Sequence, residues 1–321
     1  MSGFEVHPAK RQAGFVRVGV IGCSGSGKTN SALRMAVGMQ RVVGGDIFLI
    51  DTEGNAQEYA DEFSFMHLAM EPPFHPSRYI DAIRHCEGLG AKVVIVDSGS
   101  HAHEGNGGIL DWHDELAEEM AKKWGGSPEK YNHMAWGKPK KDLTKLLLGM
   151  QSLRCNLIMC LRSKEKTRPE KKNGRNEIKQ LGWMPICSDE VMHELRVRFM
   201  LTPGCDGVPE WQFDREGERA AVRRPKQFRE LFDKHRGNPL SEELGEAMAR
   251  WAAGGAPAKP TDTDQASPPA DGEWRFPSGK YAGKTVRDVP DGYLSGLIDK
   301  GKEPLALFEG EMERRIREGE P

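Results

Sequence analysis

Short runs of apolar residues alternate with longer stretches in which apolar positions recur every three to four residues. Phe15 to Ile21 reads as a strand, and Lys28 to Gln40 as a helix with Ala32, Leu33, Met35 and Ala36 on one side. Asp46 to Asp51 and Phe65 to Ala69 are further strand candidates. Pro76 stands where a helix can start, with Tyr79, Ile80 and Ile83 continuing it. Val93 to Asp97 and Asn156 to Leu161 are apolar on both faces, as expected for strands buried between helical layers. Helices over Gly108–Lys123 and Lys141–Leu153 fill the interval between them. Such alternation implies parallel pairing through right-handed crossovers, and hence a three-layer α/β domain with a mainly parallel sheet.

Beyond Leu161 the pattern changes. Arg162 to Lys179 has no hydrophobic period and reads as a polar, basic loop. Leu195–Leu201 and Val208–Phe213, separated by Pro203-Gly204 and Asp206-Gly207, predict a peripheral β-hairpin. Ser241 is a good N-cap, followed by Glu242 and Glu243 in the first turn. Leu244, Met248 and Trp251 then recur at helical spacing to about Ala252. Gly254 to Gly272 lacks any large apolar residue and is expected to be a flexible, disordered linker. The predicted organisation is therefore a domain over 14–252, a linker over 253–273 and a small module over 274–321.

Composition changes this picture little. With 46 basic against 48 acidic residues, net charge gives no global argument for nucleic-acid binding, so any such surface must come from local clustering. No apolar run approaches the roughly 18 residues needed to span a bilayer, and no membrane association is expected. The six cysteines form no CxxC pair, in keeping with a reducing cytoplasm, and the ten histidines show no zinc spacing.

The candidate chemistry is concentrated in Gly22-Cys23-Ser24-Gly25-Ser26-Gly27-Lys28-Thr29, which fits GxxxxGK[ST] between a strand and a helix. Such a loop turns backbone N–H groups inward, and with the positive end of the following helix they cradle phosphates. ATP, or a related nucleoside triphosphate, with Mg2+ is the expected ligand. Gly22, Ser24, Gly25, Ser26, Gly27, Lys28, Thr29 and Asn30 are the expected nucleotide contacts. Lys28 would reach the β- and γ-phosphates, and the Thr29 hydroxyl would ligate the metal. Asp97 ends a β-branched strand and is the second metal candidate. Glu53, just past another strand end, is the candidate for activating water. Asp51 is weaker, being shorter and deeper in the sheet. Arg162 sits at a strand exit from which it can meet a γ-phosphate.

In order and spacing, Gly22–Thr29, Ile50-Asp51-Thr52-Glu53 and Val94-Ile95-Val96-Asp97-Ser98 resemble the RecA-like P-loop ATPase core. Asp97-Ser98 with His101 and Glu104-Gly105 is similar to the Asp-Ser-x-x-His-x-x-Glu-Gly signature of phage-type AAA ATPases that include single-strand-annealing recombinases. Pro72-Pro73, Trp136 and Arg162-Ser163-Lys164 extend the likeness, which covers about residues 14 to 252. The resemblance implies Glu53 as the water-activating glutamate and Asp97-Ser98 as the Walker B pair. It also implies a phage or prophage origin in a bacterial host cell. No glutamine occurs between Asn156 and Lys166, where RecA proper has its γ-phosphate sensor; Arg162 or Lys164 stands there. Phe276 to Thr285 and Val289 to Leu294 resemble a small module at the carboxyl end of exodeoxyribonuclease X-like proteins.

Single-stranded DNA is the partner this likeness suggests. Arg162, Lys164, Lys166, Arg168, Lys171, Lys172, Arg175 and Lys179 supply a cluster able to neutralise phosphates. Lys280, Tyr281 and Lys284 offer a second contact, to a nucleic-acid backbone or to a single-strand-binding or replication protein. A homo-oligomer is expected. The leading reading is a DNA-stimulated ATPase of recombination or replication. The alternatives are a nucleotide-gated adaptor or loader, or a P-loop kinase using the Arg162–Lys179 segment as a lid.

Overall fold

A computed structural model of the chain describes residues 8, 9, 11–172, 175–254, 281, 284–298, 308, 311, 312, 314 and 315. The chain forms two compact units, Met1–Ala258 and Lys259–Pro321. The expected linker, from residue 255 on, and the Phe276–Lys280 start of the expected module lie outside the described residues.

In the first unit the strands are β1 (Arg17–Gly22), β2 (Ile47–Asp51), β3 (Met66–Ala69), β4 (Val93–Asp97), β5 (Asn156–Lys172), β6 (Arg175–Pro185) and β7 (Val197–Leu201). The helices are α1 (Lys28–Val43), α2 (Pro76–Gly88), α3 (His101–Glu104), α4 (Ile109–Trp124), α5 (Asn132–Ala135), α6 (Gly137–Gln151), α7 (Asp189–Glu194), α8 (Glu216–Ala221), α9 (Arg229–Lys234) and α10 (Glu242–Ala253). Among the described residues, seven strands make one sheet in the order β3-β2-β4-β5-β1-β7, with β6 paired to the far part of β5. Every pairing is parallel except β5 with β6.

Strand alternation divides the interior into two cores, one on each face of the sheet. Val94, Val96, Leu157, Met159 and Met200 face Tyr79, Ile83, Leu146 and Val191 of the helices on one side. Val18, Val20, Ile95, Ile158 and Phe199 face Leu33, Met35, Leu244 and Met248 on the other. The unit is thus a mostly parallel, three-layer α/β structure consistent with a RecA-like P-loop core, as its strand pattern implies.

Two expectations about local structure are corrected. The basic segment from Arg162 is not a loop: β5 continues through it to Lys172 and pairs antiparallel with β6. The peripheral hairpin is therefore built from these residues. Leu195–Leu201 instead contributes β7, parallel to β1 at the sheet edge, because its alternate residues fill both cores. The chain beyond β7 turns back and touches it only through isolated bridges, Met200↔Glu210 from the expected second strand and Arg198↔Arg223 further on. Ser241 does precede α10 as its N-cap residue, but its hydroxyl makes no capping bond.

In the second unit α11 (Asp291–Ile298) follows a short turn at Val286–Asp288. Thr285 and Asp288 close a reciprocal capping box over that turn. Among the described residues, Val286, Val289, Leu294 and Phe308 form its core. Arg315 lies buried beneath it. Its guanidinium donates to the carbonyls of Val286, Arg287 and Val289 and pairs with Glu311 at 2.9 Å and with Asp291.

Candidate functional site

β1 delivers the chain to Gly22, where a side chain has no room: a Cβ would lie 2.3 Å from Ser26 Oγ and 2.7 Å from the Leu201 carbonyl. Gly27, with φ 85°, turns the loop into α1 as its N-cap, and its back rests against the turn at Gly207. The segment after β7 thereby buttresses the loop. Ser24 and Gly25 form the exposed crest, and Asn30 is half-buried in the first turn of α1. Ser26 is fully buried and donates its hydroxyl to the Cys23 carbonyl at 2.8 Å, so its side chain turns into the loop. The Lys28 ammonium donates to the same carbonyl at 2.8 Å.

β4 ends at Asp97, and the Thr29 hydroxyl donates to Asp97 Oδ2 at 2.6 Å. Burial pushes the Asp97 carboxyl up to about 6; the Thr29 bond and Lys28 oppose this, while Glu53 and Asp51 add to it. Asp97 and Ser98 are joined by a cis peptide. Asp51 stands beside Asp97 in the sheet register, yet its oxygens are consumed locally. They accept from the N–H groups of Glu53 (2.9 Å), Gly54 (2.7 Å) and Ala56 (3.0 Å), and one lies 3.1 Å from His67 Nε2. Burial raises its pKa, but these bonds together outweigh burial and hold the carboxyl below its usual range. Asp51 thus shapes the turn that carries Glu53.

Arg162, at the point where β5 leaves the body of the sheet, donates through Nε to Glu53 Oε1 at 2.7 Å. This bond to Glu53 is the main reason the Arg162 guanidinium is held more firmly protonated than usual. Lys164 pairs with Glu104 at 2.6 Å one alternation further along. Lys28, Thr29, Glu53, Asp97 and Arg162 are therefore brought to one carboxyl edge of the sheet, the edge at which ligands of open α/β sheets bind.

Thr52 carries a positioning role that the sequence reading did not assign. Its N–H donates to the Asp97 carbonyl at 2.8 Å, its hydroxyl accepts from Ser98 N at 2.8 Å, and His101 Nδ1 lies 2.8 Å away. It ties the Glu53 turn to the Asp97 strand end. Its place between two acids of the Asp-Thr-Glu stretch was the only signal. His101 stacks on Phe74, with centroids 5.0 Å apart. Burial, then Arg162, hold its pKa below the usual value, with Glu53 opposing.

The oxygen pair of Thr29 and Asp97 suits a hard cation such as Mg2+, which takes few protein carboxylates and relies on substrate phosphates. Among the described residues there is no cluster of three or more His, Cys, Asp or Glu side chains that would hold a metal by itself. No helix among them is long and apolar enough to cross a membrane.

A search of curated proteins returned no match. A family model described as "AAA domain" matches residues 15–201, more than half of the 321-residue chain and all of the P-loop edge. The chain belongs to the AAA domain family of P-loop ATPases.

Proposed function

We propose that this protein is a magnesium-dependent ATPase of phage type, stimulated by single-stranded DNA and acting as a homo-oligomer in recombination or replication. Two pairs support the hydrolytic part, Thr29 with Asp97 at 2.6 Å and Arg162 with Glu53 at 2.7 Å, by converging on the edge where the P-loop opens.

In this reading the loop amides and Lys28 hold the triphosphate. Lys28 exchanges its bond to the Cys23 carbonyl for phosphate oxygens. Thr29 and Asp97 would hold magnesium, whose charge would offset that of the triphosphate. Glu53 orients the attacking water and takes its proton. Arg162 divides its charge between Glu53 and the γ-phosphate, so nucleotide draws it off the carboxylate and frees the base.

The β5–β6 hairpin springs from Arg162, and its basic side chains are the proposed contact with the DNA strand. Its lysines Lys166 and Lys171 have no carboxylate partner among the described residues. ATPase rates with and without single-stranded DNA, for the wild type and for Glu53→Gln, test the whole reading. The expected result is DNA-stimulated phosphate release in the wild type and none in the variant. A rate indifferent to DNA would remove the recombination role, and a Glu53→Gln protein with full turnover would remove the assigned base.

A further inference from the structure

Of the six described basic side chains in the β5–β6 hairpin, four are already spoken for: Arg162 by Glu53, Lys164 by Glu104, and Arg168 and Lys179 by Glu216. A denser store of free positive charge lies elsewhere, in the crossover between β4 and β5. Residues 122 to 141 hold the lysines Lys122, Lys123, Lys130, Lys138, Lys140 and Lys141 against one acid, Glu129. Lys122 pairs with Glu118 at 3.5 Å, while Lys123, Lys130, Lys138, Lys140 and Lys141 have no carboxylate partner among the described residues.

Aromatic rings are interleaved with these cations. Trp124 ends α4 with 51% of its surface exposed and packs against Tyr131 with the rings tilted, centroids 5.7 Å apart. Lys123 and Lys130 extend over the Trp124 and Tyr131 rings, each with its ammonium 5.4 Å from the ring centre. Gly125 and Gly126, at φ 76° and 101°, turn the chain away directly after Trp124. Nothing stands within 4 Å of where a Gly125 side chain would be. The Tyr131 hydroxyl donates to the Gly125 carbonyl at 2.7 Å and fixes the turn. At the start of α6, Lys140 lies 5.7 Å from the centre of Trp136, which is itself stacked on His113 of α4. Trp124 lies eleven positions along α4 from His113, a rise of about 16 Å.

The topology places this insertion on the nucleotide side. β4 ends at the carboxyl edge and β5 begins at the opposite one, so α6 descends from the carboxyl edge, and the α4–α5 excursion is inserted before that descent.

We infer that the surface at the end of α4 formed by Trp124, Lys123 and Lys130 binds single-stranded nucleic acid, with Trp124 as a stacking platform for a base. Lysines without carboxylate partners leave positive charge that a polyanion can neutralise. An exposed ring flanked by cations suits an unpaired strand, which presents both phosphates and base faces. An acidic protein surface would use the charge but not the ring. This inference rests on the nucleic-acid part of the proposed function and not on hydrolysis.

Fluorescence anisotropy of labelled oligo(dT) with the full chain, over a range of salt, tests it. Trp124→Ala should weaken binding about 5- to 100-fold, the value of one lost base stack, and Trp124→Phe should restore most of it. Lys123→Ala with Lys130→Ala should lower the slope of log K against log salt by about 1.4, as for two phosphate contacts to a single strand. Wild-type affinity in the Trp124→Ala and double-lysine variants overturns the inference. So does loss of binding confined to a Lys166→Ala, Lys171→Ala hairpin variant. If Trp124→Ala leaves DNA binding intact but changes the sedimentation of the protein, the face contacts another copy of the chain, and the inference is equally wrong. A wild type that fails to bind oligo(dT) removes the inference and the DNA role together. Binding without ATPase stimulation sinks only the proposed function.

Discussion

Glu53 and Arg162 lie 109 positions apart in sequence and meet at 2.7 Å. In that pairing the carboxylate spends one oxygen on a guanidinium, which makes it a poorer acceptor for a proton from water until the arginine moves to a phosphate. Glu53→Gln keeps the side-chain shape and an oxygen for Arg162 but removes the basicity. It is expected to lower kcat by about 100- to 10,000-fold while leaving the Kd for Mg-ATP within a few-fold of wild type. Single-turnover phosphate release and equilibrium nucleotide titration measure the two quantities separately. A parallel loss of affinity would mean that Glu53 holds nucleotide instead of activating water. Asp51 behaves differently because three backbone N–H groups and His67 already occupy it. Its loss would act through the shape of the Glu53 turn.

At the scale of elements, α1 and α10 meet at two glycines. A Cβ on Gly245 would lie 2.0 Å from the Met35 carbonyl, and one on Gly38 would lie 1.8 Å from the Glu242 carbonyl. Arg34 and Glu242 close the same contact with two bonds of 2.9 and 2.8 Å. Because the obstacle is backbone, Gly245→Ala cannot be absorbed by a rotamer change. It should cost at least about 1–3 kcal/mol through separation of the helices, read by denaturant unfolding. Unchanged stability would show that the helices can slide apart freely. The sequence made these elements legible to different degrees. Val93–Asp97 and Asn156–Leu161 read correctly because both of their faces are buried. The hairpin beyond Arg162 did not, since Lys164 to Lys171 is mostly exposed and offers no apolar alternation to mark a strand. β7 misled in the opposite sense: the turn residues after it, Gly204 and Gly207 at positive φ, are real, but the chain they return makes one bridge instead of a strand. The pairing of Glu53 with Arg162, and of Thr52 with His101, could not be read locally, because each depends on how strand ends align across the sheet.

At the scale of the whole molecule, the two units depend on different interactions. Among the described residues of the Lys259–Pro321 unit, Val286, Val289, Leu294 and Phe308 pack as a core beside the buried Arg315 and Glu311. Bonds from Arg314, with burial opposing and Arg315 adding, hold the Glu311 carboxyl down to about 2. A depressed carboxyl contributes stability that is full above the ordinary glutamate range near pH 4.5 and is lost as pH falls toward about 2. Denaturation followed by the methyl signals of Val286 and Leu294 should therefore show a loss on the order of 2 kcal/mol across that window. Glu311→Gln should be weaker at neutral pH and lack most of this slope. A wild-type slope unchanged in Glu311→Gln would assign the acid sensitivity to other carboxyl groups.

The Met1–Ala258 unit gathers its site from four separate places: the P-loop and α1, the turn after β2, the end of β4 and the exit of β5. A ligand that grips all four exists only with the folded sheet, so binding must appear as stability. At 100 times its Kd, Mg-ATP should add about 2.7 kcal/mol. For a unit of this size that corresponds to a rise in Tm of roughly 5–10 °C. Chelating the metal should remove part of the rise, because Thr29 and Asp97 then return to their direct 2.6 Å contact. Lys28→Ala should abolish most of it, since the loop keeps its amides but loses the one cation buried among them. Calorimetry of the wild type and the variant with Mg-ATP, with ATP and chelator, and with neither separates these contributions. No shift with millimolar Mg-ATP would mean that the loop, for all its sequence, is held too tightly by Cys23, Ser26 and Lys28 to open around a triphosphate.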